Sequence, residues 1–191
     1  QSGCYSANIE KATSIPCEAK YLETLKTSLI KTPNQKSVND LCRENNLDPT
    51  QIVKVILYLG QFNNDFEIPI LVCLRGDQKI NEVKLFNTIN QKQDFNLINL
   101  SPIENNLEFK KKFINLPIGF IGPDLDDSTI KINPSLQRSW LRVIDKTAYD
   151  LDKFVSGANK VDYHKFFTSW DSLDKNFIRG DVRCAKEGDY I

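Results

Sequence analysis

Residues Ile52–Leu59 read IVKVILYL, and Ile68–Leu74, beyond the polar turn Gln61–Asp65, read IPILVCL. Both runs are dense in β-branched and large apolar residues, which pack well on a pleated surface. They predict two buried strands joined as a hairpin with a loop. Upstream, Ser37 is placed to cap a helix whose apolar positions Val38, Leu41 and Cys42 recur at helical spacing. Asn45-Asn46 and Asp48-Pro49 then break it. Before that helix, Tyr5–Ala12 reads as a short polar segment, followed by Ile15-Pro16 and a charged stretch up to Thr32-Pro33.

Downstream, Arg75-Gly76-Asp77 ends the second strand, and Ile80–Ile89 carries helical spacing at Val83, Leu85-Phe86 and Ile89. An Asn-rich stretch and a predicted helix near Glu104–Phe113 lead to LPIGFIGP, Leu116–Pro123. A polar loop from Asp124 to about Ser139 precedes a strand at Trp140–Asp145. Phe154–Asn159 runs through GAN into a loop, Tyr163–Trp170 predicts another strand, and Asp181–Asp189 forms a short charged tail. Strands and helices interleaved by hairpin-length connections predict an α+β fold, with a mixed, mostly antiparallel sheet flanked by helices.

The 191 residues fit one domain, 1–191. Twenty-five basic and 25 acidic residues give a formal net charge of zero, unlike a chain that grips duplex nucleic acid unaided. Five widely spread cysteines without a C-x-x-C, and a single histidine, supply no set of zinc ligands. Free, mostly packed thiols in a reducing cytosol are the expectation, hence a cytoplasmic location. No apolar run reaches transmembrane length and no signal peptide opens the chain, so no membrane partner is expected. The start at Gln1 reads as a piece of a longer chain.

No G-x-S-x-G, Walker loop, dinucleotide fingerprint or recognisable catalytic cysteine occurs. Four features remain. Lys54 interrupts an apolar strand; it is either a lysine whose stem packs while its ammonium reaches water, or a cation at a cleft floor facing a phosphate or oxyanion. His164, the only histidine, enters a strand from a loop, where functional side chains are often displayed. Gly119–Pro123 (GFIGP) is a tight turn or a backbone surface that a ligand approaches closely. Asp145 is a cap, a salt-bridge partner or a site residue.

Taken in order, YSANIEKA (Tyr5–Ala12), the Val38 helix, IVKVIL, LVCLRGDQKINEVKL (Leu71–Leu85), PIGFIGP, VIDKT (Val143–Thr147), FVSGANKVDYH (Phe154–His164) and DVRCAKEGD (Asp181–Asp189) cover nearly the whole chain. This order resembles the editing insertion of bacterial-type prolyl-tRNA synthetases, related to the free-standing YbaK deacylases. The first and last segments resemble the passages between such an insertion and the catalytic domain. Residues 1–30 and 180–191 would then be partly linker to that domain, and the whole would be excised from a longer synthetase chain.

The resemblance implies a catalytic set of Lys54, His164 and Asp145. It implies a side-chain pocket walled by Val38 and Leu41, a G-x-x-x-P loop at Gly119, Gly122 and Pro123, and a contribution from Asn159. The segment between that loop and Asp145 is longer than in the family, and KFFTSWDSL after His164 keeps Trp170 while losing the usual glycine and asparagine. The implied reaction is hydrolysis of Ala-tRNA(Pro), with the acceptor 3′ end, the parent catalytic domain and the anticodon-binding domain as partners. No cofactor is expected for the domain itself, ATP serving only the parent synthetase.

This chemistry suits the residues. An aminoacyl ester is already activated, so its cleavage needs a positioned water and oxyanion donors rather than a protein nucleophile. Two other readings stay open: the same fold acting on another misattached residue such as cysteine, and a non-catalytic insertion that binds the tRNA end.

Overall fold

The computed structural model describes residues 12–15, 18–24, 28–63, 66–94, 96–103, 116–130 and 139–190. Along these run β1 (Leu29–Lys31), α1 (Val38–Asn45), β2 (Val53–Phe62), β3 (Glu67–Arg75), α2 (Glu82–Lys92), β4 (Leu97–Pro102), β5 (Leu141–Asp145), α3 (Lys146–Tyr149), β6 (Phe154–Gly157), β7 (Tyr163–Phe167) and β8 (Ile178–Gly180). One sheet has the order β4-β2-β3-β5-β8, the other β1-β7-β6. The expected hairpin is β2–β3, antiparallel from Val53 opposite Arg75 to Gln61 opposite Glu67. β5 and β8 add in parallel, and the smaller sheet is antiparallel throughout. The fold is therefore α+β with a mixed sheet, as the pattern of elements predicts.

The unbroken apolar reading of β3 follows from burial on both faces. Ile70, Val72 and Leu74 pack with Leu85 and Ile89 of α2, whereas Leu71 and Cys73 face Phe154, Phe167 and Trp170. Aromatic stacking organises that second layer, with Phe154 at 4.3 Å from Trp170 and 4.9 Å from Phe167 between ring centroids. A third cluster, Leu22, Leu41, Ile52, Val155 and Phe166, ties α1 to the smaller sheet, and a bridge between Ile52 and Val155 joins the two sheets.

The helix caps agree with the sequence. The Ser37 hydroxyl accepts from the N–H of Asp40, and Asn46 closes α1 in the left-handed region at φ 53°. Asn81 caps α2 by accepting from Val83 and Lys84. On α2 one expectation fails: Val83 is 43% exposed, and Lys84 takes an inward position instead. Its ammonium donates to the Ala12 carbonyl at 2.6 Å and to Asp181 at 3.1 Å, which makes burial of the charge tolerable.

Four short strands, β1, β4, β6 and β8, were not legible as strands, and the strand expected over Tyr163–Trp170 ends at Phe167. Trp170 instead precedes a 3-10 turn, Asp171–Leu173. The helix predicted near Glu104–Phe113 and most of the polar segment Tyr5–Ala12 lie outside the described residues. Segments 12–15 and 181–190 run side by side. Thr13 pairs with Tyr190, Ser14 donates to Asp181 from both N–H and hydroxyl, and Arg183 binds Asp189.

One contact fixes the layers. The Leu116–Pro123 segment lies against β6 so closely that a Cβ at Gly157 would stand 2.2 Å from the Phe120 carbonyl carbon, and one at Gly122 would stand 2.1 Å from the Gly157 oxygen. Backbone meets backbone there, so nothing yields. Gly157→Ala is expected to lower stability by about 3 kcal/mol. Gly188→Ala, strained only by its φ of 93° with nothing within 4 Å, is expected to cost about 1 kcal/mol. Urea unfolding midpoints of the two variants measure the difference.

Candidate functional site

A cavity of about 270 Å³ opens where α1, the start of β2, the Gly119 loop and the β6–β7 pair converge. It is lined by Lys36, Ser37, Val38, Leu41, Ile52–Ile56, Gly119, Ile121, Gly157 and His164. β4 pairs with β2 only over Tyr58–Phe62, so β2 from Val53 to Leu57 has β3 on one side and no partner strand among the described residues on the other. That unpaired edge is part of the cavity wall.

The structure brings Lys54, His164, Val38, Leu41 and Gly119 to this one cavity. Val38 and Leu41, three apart on α1, share a face. Leu41 is 2% exposed and also packs in the third apolar cluster, while Val38 is half-buried. Ile52, beside them, is an apolar wall that was not singled out. Its signal was present, since alternation places it on the same face of the strand as Lys54.

The Lys54 ammonium donates to the main-chain carbonyls of Gly76, at 3.2 Å, and Gln78. Burial lowers its pKa; Asp77 opposes the shift, and Lys186 and Lys79 add to it. The carbonyls belong to the Arg75–Gln78 turn. The buried Arg75 guanidinium closes that turn on Asp77 at 2.7 Å, and Lys186 reaches the same carboxylate at 2.8 Å.

His164 is 5% exposed. Its Nδ1 lies 2.7 Å from the Thr32 hydroxyl, and its ring meets Phe120 edge-on at 5.5 Å. Burial pulls its pKa down to about 4, so the ring is neutral at physiological pH.

In the loop, Gly119 adopts φ 89° against the Lys36 side chain. Phe120 N–H closes a turn on Pro117, and Gly122 N–H is taken by Asn159 Oδ1 at 2.8 Å. Gly119 and Ile121, the two loop residues that line the cavity, keep main-chain N–H groups with no hydrogen-bond partner among the described residues. Gly122, Pro123 and Asn159 do not line it. Asn159, itself left-handed at φ 56°, binds the loop from behind, its amide also donating to Asp124 at 2.8 Å.

Asp145 is fully buried outside the cavity. It caps α3, accepting from the Thr147 N–H at 2.9 Å, from the Thr147 hydroxyl at 2.6 Å and from Val182 N–H at 2.9 Å. The cap reading, one of three open in the sequence, describes its contacts. Among the described residues, no group of three or more His, Cys, Asp or Glu is placed to hold a metal ion, and no helix is long and apolar enough to cross a membrane.

His164 carries a pH prediction. Its folded-state pKa of about 4 lies below the ordinary 6.5, so between these values the unfolded chain binds a proton that the folded chain refuses. This contribution is therefore lost as pH falls from about 6.5 to about 4, and is level outside that window. Between about pH 7.5 and about pH 4.5, His164→Gln is expected to lose less unfolding free energy than the parent chain, by on the order of 3 kcal/mol. Urea melts at the two pH values check this, and parallel losses would contradict a buried neutral ring.

The aminoacyl-tRNA editing domain family matches residues 32–175, a span that holds every residue lining the cavity. Two proline–tRNA ligases of Prochlorococcus marinus, strains MIT 9301 and AS9601, are 52% and 50% identical to this chain over all 191 residues. The chain spans about a third of their length, 32%. Among solved structures, one described as a proposed trans-editing enzyme for prolyl tRNA synthetase superposes with a TM-score of 0.57 over 82% of this chain and 86% of its own, at 11% identity. That likeness is one of fold. By the extent of the family match, this chain belongs to the aminoacyl-tRNA editing domain family.

Proposed function

We propose that the chain hydrolyses the ester of Ala-tRNA(Pro) as the editing domain of a proline–tRNA ligase, and that it spares Pro-tRNA(Pro). The observation that carries this reading is the convergence on one cavity of an apolar recess (Val38, Leu41, Ile52), a half-buried ammonium and two residues, Gly119 and Ile121, whose main-chain N–H groups have no partner among the described residues. An acyl-transfer site needs these parts when its substrate is already an activated ester. The recess receives the side chain, Lys54 meets a phosphate or polarised oxygen of the 3′ end, and Gly119 and Ile121 are the donors available to the developing oxyanion.

His164, neutral and held by Thr32, orients a polar group of the terminal ribose or the water; it adds no cation. A catalytic nucleophile is not required, which agrees with the motifs. The neutral net charge leaves the tRNA body to other parts of a ligase. Names of similar proteins point the same way, since the relatives at about half identity are proline–tRNA ligases. No cofactor takes part in this reading, and ATP belongs to the aminoacylation step of the larger enzyme.

A site built for proline rejects alanine by only about 1–3 kcal/mol, because a smaller side chain simply leaves space unfilled. The recess inverts the test by excluding the larger ring. Deacylation of alanine-, cysteine- and proline-charged tRNA(Pro) measures it, and equal cleavage of the alanyl and prolyl esters would refute the sieve. Lys54→Ala is expected to remove most activity, at least about tenfold, with circular dichroism unchanged. Val38→Ala is expected to lower the alanine-to-proline cleavage ratio at little cost in stability, because Val38 is half-buried. Leu41→Ala also opens a core position and should lose about 2–4 kcal/mol, so Val38 is the cleaner probe.

A further inference from the structure

A chain of buried polar groups behind the cavity ends at the lysine. Gln78 is 1% exposed, and its main-chain carbonyl accepts from the Lys54 ammonium. Its side-chain amide lies 2.9 Å from the Thr147 hydroxyl, which lies 2.6 Å from Asp145 Oδ1. The other Asp145 oxygen accepts Val182 N–H at 2.9 Å. The Thr147 hydroxyl has one proton for two neighbours, and the Asp145 carboxylate, which already accepts the Thr147 and Val182 N–H groups, is the stronger acceptor. The Gln78 atom facing Thr147 must then be a donor. A half-turn of the amide puts Nε2 there, giving that nitrogen a partner, and moves Oε1 to the buried position that has none among the described residues. The result is one directional chain, Gln78 to Thr147 to Asp145.

The Arg75–Gln78 turn is pinned at its other points as well. Gly76 N–H donates to Ile52 at 2.8 Å and Gln78 N–H to Arg75 at 3.1 Å. Asn81 N–H donates to Val182 at 2.8 Å and Cys184 N–H to Lys79 at 2.7 Å. Among the described residues, the Gln78 side chain is the contact that ties this turn to Thr147 and, through it, to Asp145.

We infer that Gln78 and Thr147 are positioning residues for Lys54, fixing its ammonium through the Gln78 carbonyl while Asp145 fixes Thr147. Its catalytic consequence rests on the role proposed for Lys54. None of the three touches the cavity. They act by holding the turn, so their loss lets the ammonium leave its two carbonyls and costs turnover more than substrate binding.

Two measurements on the whole chain separate this from the functional reading. The first is acylation of Lys54 by an amine-reactive ester, followed by peptide mass spectrometry, with the buried Lys84 as internal reference. Thr147→Val and Gln78→Met are each expected to raise the Lys54 rate severalfold with Lys84 unchanged, and Thr147→Ser, which keeps the hydroxyl, to leave it at the parent value. The second is Ala-tRNA(Pro) deacylation, where the same two variants should lower kcat by about tenfold with KM little changed, and Thr147→Ser should restore it. Unchanged Lys54 acylation in both variants overturns the inference. So does a parallel rise at Lys84, which marks general loosening, or raised Lys54 acylation with parental kcat. Full deacylation by Lys54→Ala would instead refute the role of Lys54 itself, while acylation still decides whether the chain holds it.

Discussion

No side chain fits between the Phe120–Gly122 backbone and β6 at Gly157, and the layout of the cavity depends on that approach. Because main chain lies on main chain, the loop can neither slide outward on a side chain nor be filled by one. Asn159 locks the arrangement by accepting Gly122 N–H and by donating to Asp124, which Lys165 also engages at 2.8 Å. Arg142 holds the next few residues through the Leu125 carbonyl and Asp127. The loop is thus positioned by groups outside the cavity, and its two cavity-lining residues, Gly119 and Ile121, keep main-chain donors with no partner among the described residues. Residues that frame a site and residues that line it are different sets here.

The same division governs charge. Desolvation penalises an ionised group unless its partners compensate. Lys54 is compensated by two carbonyl dipoles rather than by a carboxylate. The nearby Asp77 is already shared between Arg75 and Lys186, so among the described residues no ion pair neutralises the ammonium. It keeps an unspent attraction for an incoming anion, at the expense of a lowered pKa. His164 takes the other course and gives up its proton. A cavity lined by Lys36, Lys54 and one neutral ring is suited to a substrate whose own phosphate or developing oxyanion supplies the negative charge.

The fold was legible where burial dictates pattern. IVKVILYL and IPILVCL announced the central hairpin because both faces of β3 are covered. Ser37 and Asn46 announced the limits of α1 because capping is local chemistry. β1 and β8, three residues each, the four-residue β6 and the edge strand β4 escaped notice because short strands take their conformation from the neighbour they pair with, which local sequence does not encode. Val83 and Lys84 were exchanged for a similar reason: only tertiary contacts with Ala12 and Asp181 reveal why a lysine turns inward. At the candidate site, the order of motifs brought together Lys54, His164, Val38, Leu41 and Gly119. It did not separate lining residues from framing ones, so Gly122, Asn159 and Asp145 were grouped with residues they support from outside. Composition had no means of marking Gln78 or Thr147, whose significance lies in hydrogen bonds across 69 positions of sequence.

Size exclusion places a mechanical demand on these supports. A recess that admits a methyl group and rejects a pyrrolidine ring discriminates only if its walls do not give. A close-packed interior resists an added methylene far more strongly than a mobile surface does. Leu41 and Ile52 meet that demand by being nearly fully buried within the third apolar cluster, so pressure from a larger substituent is passed to Val155 and Phe166. Val38 is the least supported of the three. Behind it lies Gly76, where a Cβ would stand 3.1 Å from Val38 Cγ1 and 2.6 Å from the Pro49 oxygen, so the turn that holds Lys54 also backs the softest wall of the recess. Wall and cation share one support. A displacement of that turn would widen the recess and release the ammonium together, coupling selectivity to rate within a single structural element.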